Sequence, residues 1–174
     1  MLPVWVFDTL RHHDVASWSE FEADNPEMAV GGRKLLYQFG VGLAYLATVR
    51  RDGGSRIHPF CPVIHERGIY GLIGLSPKKR DLLCDGRSAV HSFPSPDRDD
   101  EFYFTGRVRP RSNAQLIEGV RATMISTGAT SSGDEELFEF DIERALFAQY
   151  KRRGEPNDWP PRYTKWLDPR LRSK

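Results

Sequence analysis

Ser76, Lys78 and Lys79, in the stretch SPKKRDLLC, set a hydroxyl and two ammonium groups within four residues. Serine caps helices and proline is tolerated in a first turn, so the stretch predicts a helix start at Pro77. Free backbone N–H groups, the Ser76 hydroxyl and one of the lysines can converge there on one anion, a phosphate above all. A solvated charged face is the ordinary role of such a run. A nuclear localisation signal would need an exposed flexible segment, and this one is held between a predicted strand and a predicted helix. Cys61 and His65, four apart, share one face if a strand runs through both. Two donors leave a structural zinc shell half filled, and no Cys-x-x-Cys or His-Glu-x-x-His occurs, so no metal is expected. Gly-x-Ser-x-Gly elbows and Walker loops are also missing.

The elements that must position these groups can be read along the chain. Ser17 and Glu20 have the spacing of a capping box ahead of Trp18 and Phe21, which predicts a short helix over 18–24. Asn25-Pro26-Glu27 restarts a helix whose apolar face holds Met28, Leu35, Leu36 and Phe39. Gly31-Gly32 is expected to weaken or divide it, and Gly40 to end it. Asp52-Gly53-Gly54 separates two β-branched and aromatic runs and marks a hairpin. GIYGLIGL gives a third strand after the Glu66-Arg67-Gly68 turn. The Pro77 helix should stop at Gly86. Strands follow at SAVHSF (88–93) and EFYFTGRVRP (101–110), then a helix with Leu116, Val120 and Met124 four apart. The run ELFEFDIERALFAQY begins as a closing strand. These elements predict an α+β, mainly β chain: a six-stranded antiparallel barrel with short flanking helices.

Composition narrows the function classes. Of 174 residues, 25 are basic and 24 acidic, and the net charge of +1 supplies no global field toward nucleic acid or anionic lipid. No apolar run approaches the ~20 residues of a membrane helix, and neither a signal nor a transit peptide fits the N-terminus, so a soluble cytoplasmic protein is expected. Cys61 and Cys84 are read as small buried hydrophobes. One domain over 1–174 is expected, with an N-terminal helical segment at 17–40, a core at about 29–150 and a proline- and tryptophan-rich tail at 151–174. Trp159 and Trp166 should pack on the body or on a second subunit. His12-His13 belongs to the N-terminal stretch.

The ordered segment LATVRRDGGSRIHPFCPVIHERGIYGLIGLSPKKRDLLCDGRSAVHSF resembles the pyridoxamine 5'-phosphate oxidase-like, FMN-binding split-barrel proteins, and DEFYFTGRVRP resembles a later strand of that family. The resemblance covers about residues 29–150. It implies an FMN site between two subunits of a homodimer. Arg56, Ser76, Lys78 and Lys79 would lie at the phosphate, Ile73 and Gly74 near the ring, and Tyr103 where a strand of the second subunit approaches it. It implies flavin-dependent oxidoreduction of a small-molecule substrate. Cys61 stands where the oxidases commonly carry lysine. The oxidases' Arg-x-His pair near the C-terminus has no counterpart after His91, so a true pyridoxamine phosphate oxidase is not expected. Relatives bind haem or a deazaflavin, which keeps His58, His65 and His91 as haem-ligand alternatives, and a barrel without cofactor is a further one. Phe102, Tyr103 and Phe104 with Arg107, Arg109 and Arg111 also suggest an oligonucleotide platform, which the near-neutral charge disfavours.

Overall fold

The computed structural model describes residues 15–96, 98–151, 155, 156 and 159–172. His12-His13 and parts of the tail lie outside them. The capping box at Ser17 forms as the sequence predicts: Ser17 accepts from the Glu20 N–H, and the Glu20 carboxylate accepts from the Ser17 N–H at 2.8 Å. It starts α1 (Trp18–Asp24), which buries Trp18 and Phe21. Asn25 then caps α2 (Pro26–Leu36), with Pro26 at its first position. The helix runs unbroken through Gly31-Gly32, against expectation. A β-carbon at Gly32 would stand 2.7 Å from the Phe102 ring, and one at Gly31 the same distance from Phe147. The missing side chains let α2 lie directly on two strands, and this packing outweighs the low helix propensity of glycine.

Antiparallel pairing accounts for every strand contact. β1 (Ala44–Val49) and β2 (Ser55–Phe60) form the predicted hairpin, closed by Gly53 at φ 83°. The chain then breaks at Cys61-Pro62, where the ladder with β1 ends, and restarts as β3 (Val63–His65), which pairs with β4 (Gly68–Ile73). Cys61 and His65 therefore do not sit on one continuous strand. After α3 (Pro77–Cys84) come β5 (Arg87–Ser92), β6 (Glu101–Arg111), α4 (Ala114–Ser126), β7 (Glu136–Phe140) and β8 (Arg144–Gln149). The tail adds β9 (Arg162–Leu167), so the described residues form nine strands where six are expected. Both halves of the ELFEFDIERALFAQY run are strands, with Ile142 in the gap bridged to Ala16.

β6 holds the sheet together. Its first half pairs with β8 and its second half with β7 along the same edge, while β5 lies on the other. The change of partner falls at Gly106, where a β-carbon would meet the Asp141 carbonyl oxygen. Among the described residues the result is a curled, mainly β antiparallel sheet with four α-helices, a split β-barrel.

The inner faces of both halves bury one aromatic core, in which Trp18, Phe21, Phe102, Phe104, Phe138 and Phe140 are all fully buried. Trp166 joins it edge-on to Phe21, and its indole N–H donates to Asp24 at 2.6 Å. Trp159 stays exposed. A second cluster, Val63, Tyr70, Val120, Met124 and Leu137, seats α4 on the outside of β3, β4 and β7. No helix among the described residues is long and apolar enough to cross a membrane.

Candidate functional site

α3 is the element around which the predicted site residues gather, and the structure sends them in different directions. Ser76 caps the helix: its hydroxyl accepts from the Lys79 N–H and donates to the Gly74 carbonyl. The Lys79 ammonium leaves toward β7, where it pairs with Glu136 at 2.7 Å. Lys78 turns the other way, to β2, and donates to the Pro59 carbonyl at 3.1 Å. It is half-buried beside Cys61 and has no carboxylate partner among the described residues, and burial holds its pKa below the ordinary lysine value. The Cys61 thiol, itself half-buried, is pushed up by the same cause. Ile73 points into the core, Leu72 packs toward the α4 cluster, and Gly74 has open space above its α-carbon.

Arg56, on β2, meets α3 farther along the helix, at Asp81. Its Nε donates to Asp81 Oδ2 at 2.7 Å, and the same oxygen accepts from the Thr48 hydroxyl at 2.9 Å. Asp81 is buried, so this corner is fixed from beneath. Above it opens a crevice of about 550 Å3 between the β1–β2 turn and α3, lined by Arg50, Arg51, Asp52, Arg56, Arg80, Asp81 and Cys84. Cys84 is exposed here, not buried as its apolar neighbours in sequence suggest. Arg80 closes the cationic run that begins at Lys78, whereas Arg50 and Arg51 carried no distinguishing signal in the sequence. The nearest to one is the pair of arginines directly before an Asp-Gly-Gly turn, which places both at a strand end.

The outer face of the sheet completes the picture. Register aligns Pro59, Tyr45, His91, Tyr103 and Leu146 across five strands. Tyr45 stacks on Phe93 at 4.0 Å and His91 on Tyr103 at 5.9 Å between ring centroids. Ile57, two residues before Pro59 on β2, extends this row at 65% exposure, so the β2–β1 end of the face is apolar and open. Phe102 and Phe104 point the opposite way into the core, so Tyr103 alone of the three aromatics lies on the outer face where an oligonucleotide platform would need them. The His65 Nδ1 is bonded to Thr123 at 2.8 Å against α4. The His91 Nδ1 lies 2.6 Å from the Ser92 carbonyl, and its Nε2 meets no partner among the described residues. No group of three or more metal-ligating side chains occurs among the described residues.

Comparison of the backbone with solved structures places this arrangement. A haem-binding protein from Mycobacterium smegmatis aligns with a TM-score of 0.58 at 12% identity over 78% of this chain and 57% of that one. This chain thus spans little more than half of that neighbour. The haem storage protein HutZ from Vibrio cholerae aligns at 0.53 and 18% identity, over 68% of this chain and 89% of its own. A Clostridium acetobutylicum protein of the pyridoxinephosphate oxidase family, related to a general stress protein, aligns at 0.56 and 9% identity over 79% and 92%. The fold is a split β-barrel. No family model and no curated protein matches the sequence. At these identities the split barrel is what is shared, and the chemistry of each neighbour is its own.

Proposed function

We propose that this split barrel binds FMN through its phosphate at the start of α3, as a cytoplasmic homodimer, and serves flavin-dependent oxidoreduction of a small molecule. Lys78 carries the reading. A half-buried ammonium that meets only a carbonyl is incompletely compensated, and an added phosphate dianion beside it would restore the charged form that burial disfavours. The first-turn N–H groups of α3 reinforce that charge. Ser76 would act by fixing the loop, since its hydroxyl already bonds on both sides, and Lys79 by tying α3 to Glu136. Bound flavin would supply hydride transfer, while the protein would orient it and exclude water. The exposed row from Ile57 and Pro59 to Tyr103 is the apolar wall on which a planar ring and a second subunit would lie, since open apolar faces of this kind mark binding surfaces. A true pyridoxamine phosphate oxidase is not what we propose, because no histidine follows His91.

Haem is the second reading, and His91 favours it. A ring whose Nδ1–H donates to the Ser92 carbonyl keeps its Nε2 lone pair for a metal, and here that nitrogen is free on the open face. One experiment separates the two. The purified chain is given FMN or haemin, desalted, and its visible spectrum and mass in solution are measured beside Lys78→Ala and His91→Ala. Retained flavin that weakens tenfold or more in Lys78→Ala, on a dimer, supports FMN. A Soret band lost in His91→Ala supports haem. A colourless wild type, or flavin retained equally by Lys78→Ala, sinks the main reading.

A further inference from the structure

The crevice beneath the β1–β2 turn is a second cationic place, apart from the start of α3. It is built on Arg80, Asp81 and Cys84 in the later turns of the helix, with neither Ser76 nor Lys78 in its lining. Four arginines face two carboxylates there, which leaves two positive charges in excess. Each carboxylate is already committed. Asp52 takes both Nε and Nη2 of Arg50, at 3.0 and 2.6 Å, and accepts from the Gly54 N–H. The second carboxylate, Asp81, takes Nε of Arg56 together with the Thr48 hydroxyl.

These commitments orient guanidinium groups without using them up. Arg56 gives only its Nε, so both its Nη groups remain for a ligand. Arg50 keeps Nη1, and Arg51 and Arg80 have no ion-pair partner among the described residues. Five N–H donors in a rigid fork suit the oxygens of a phosphate, and several such forks around one space suit a dianion better than a monoanion. The crevice is also far larger than a bare phosphate needs. We infer that it binds the phosphate monoester dianion of a small molecule, with Arg51, Arg56 and Arg80 as the contacting groups and Arg50 as a positioned flank. Cys84 forms part of the wall and would be covered by the bound ester.

Titration of the 15N-labelled full chain with phenyl phosphate at low ionic strength tests this, with inorganic phosphate as a second arm and sodium chloride of matched ionic strength as control. The expected result is saturable shifts at the amides of Gly53, Gly54, Arg56, Arg80 and Cys84, and slower alkylation of Cys84 by a neutral maleimide at saturation. Arg51→Ala/Arg80→Ala should weaken binding at least tenfold with an otherwise native spectrum, whereas Lys78→Ala should leave it unchanged. Tighter binding of phenyl phosphate than of phosphate would assign the extra space to the ester's organic part, and equal binding would assign the site to the phosphate alone. The inference falls if shifts centre on Ser76–Lys79, if Lys78→Ala removes them, if the double variant binds as wild type, or if no saturable shift appears. The α3 start and the crevice thus fail separately.

Discussion

Arginine is used in two opposite ways in this molecule. On β6, Arg107, Arg109 and Arg111 alternate along one face, and β7 and its exit answer them with Glu143, Asp141 and Glu139 at 3.6, 2.8 and 3.5 Å. In the crevice, four arginines meet two carboxylates, and two of the four stay unpaired. The β6 row is a structural ladder in which each charge has an in-chain answer. That is also the physical reason the row does not read as a nucleic-acid stripe: its potential is cancelled within one side-chain length. The crevice carries a surplus that folding does not require, and guanidiniums left without a carboxylate around one space are what a ligand can use.

The largest effect should come from Asp81, the single group on which the crevice is founded. Asp81→Ala leaves the Thr48 hydroxyl and the Arg56 Nε without their acceptor in a mostly buried corner. Breaking such a pair costs about 3 kcal/mol, reduced here because Arg56 is one-third exposed. Urea unfolding should show a loss of about 2 kcal/mol, together with weaker phenyl phosphate binding. A variant as stable as wild type would mean that Asp81 is not the foundation, and the contrast between the two regions would lose its physical basis.

Next comes the ladder, where pH gives the sign. Asp141 is buried, and burial pushes its carboxyl up to about 6 despite the pull of Arg109, with Glu139 raising it further. Its folded value lies above the unfolded one, so its stabilising contribution is complete below about pH 4 and is lost as pH rises through 6. Arg109→Ala removes the main opposing charge. The variant should lose about 1–2 kcal/mol at pH 7.5, where a buried carboxylate is left unpaired, and recover much of that at pH 5, where Asp141 is protonated. Equal losses at both pH values would show that Arg109 acts by packing alone.

How much of this was legible in sequence depended on range. Local signals worked: the Ser17–Glu20 box, Asn25-Pro26 and Asp52-Gly53-Gly54 each concern a few adjacent residues whose own backbone groups need partners. Long-range geometry did not show itself. Gly31-Gly32 looks like a helix breaker until Phe102 and Phe147, 70 and 116 residues away from the glycines they meet, are laid against it. β9 has no apolar alternation to betray it, because only Trp166 of its six residues is buried. At the site, the spacing of Ser76, Lys78 and Lys79 correctly predicted the cap, but side-chain direction on a helix start separated the two lysines between β2 and β7. The crevice joins a turn at 50–56 to a helix face at 80–84, and although Arg56 and the run ending at Arg80 stand out singly, nothing local brings them together with Arg50 and Arg51.

The smallest effect is the most diagnostic. Arg80 is exposed and unpaired, in a crevice of like charge, so removing it should cost the fold almost nothing. For Arg80→Ala the stability change should stay within about 0.5 kcal/mol of wild type. Its direction matters more than its size. Relief of repulsion among the remaining guanidiniums should make the variant slightly more stable than wild type at low ionic strength. The difference should fade by 1 M salt, where the screening length falls to about 3 Å. A paired arginine behaves in the reverse way, since its removal hurts most when salt is low. Thermal unfolding of Arg80→Ala and Arg109→Ala across the same salt series would therefore give slopes of opposite sign if the two regions differ as described. Slopes of the same sign would mean that Arg80 has an in-chain partner in solution, and its charge would no longer be available to a ligand.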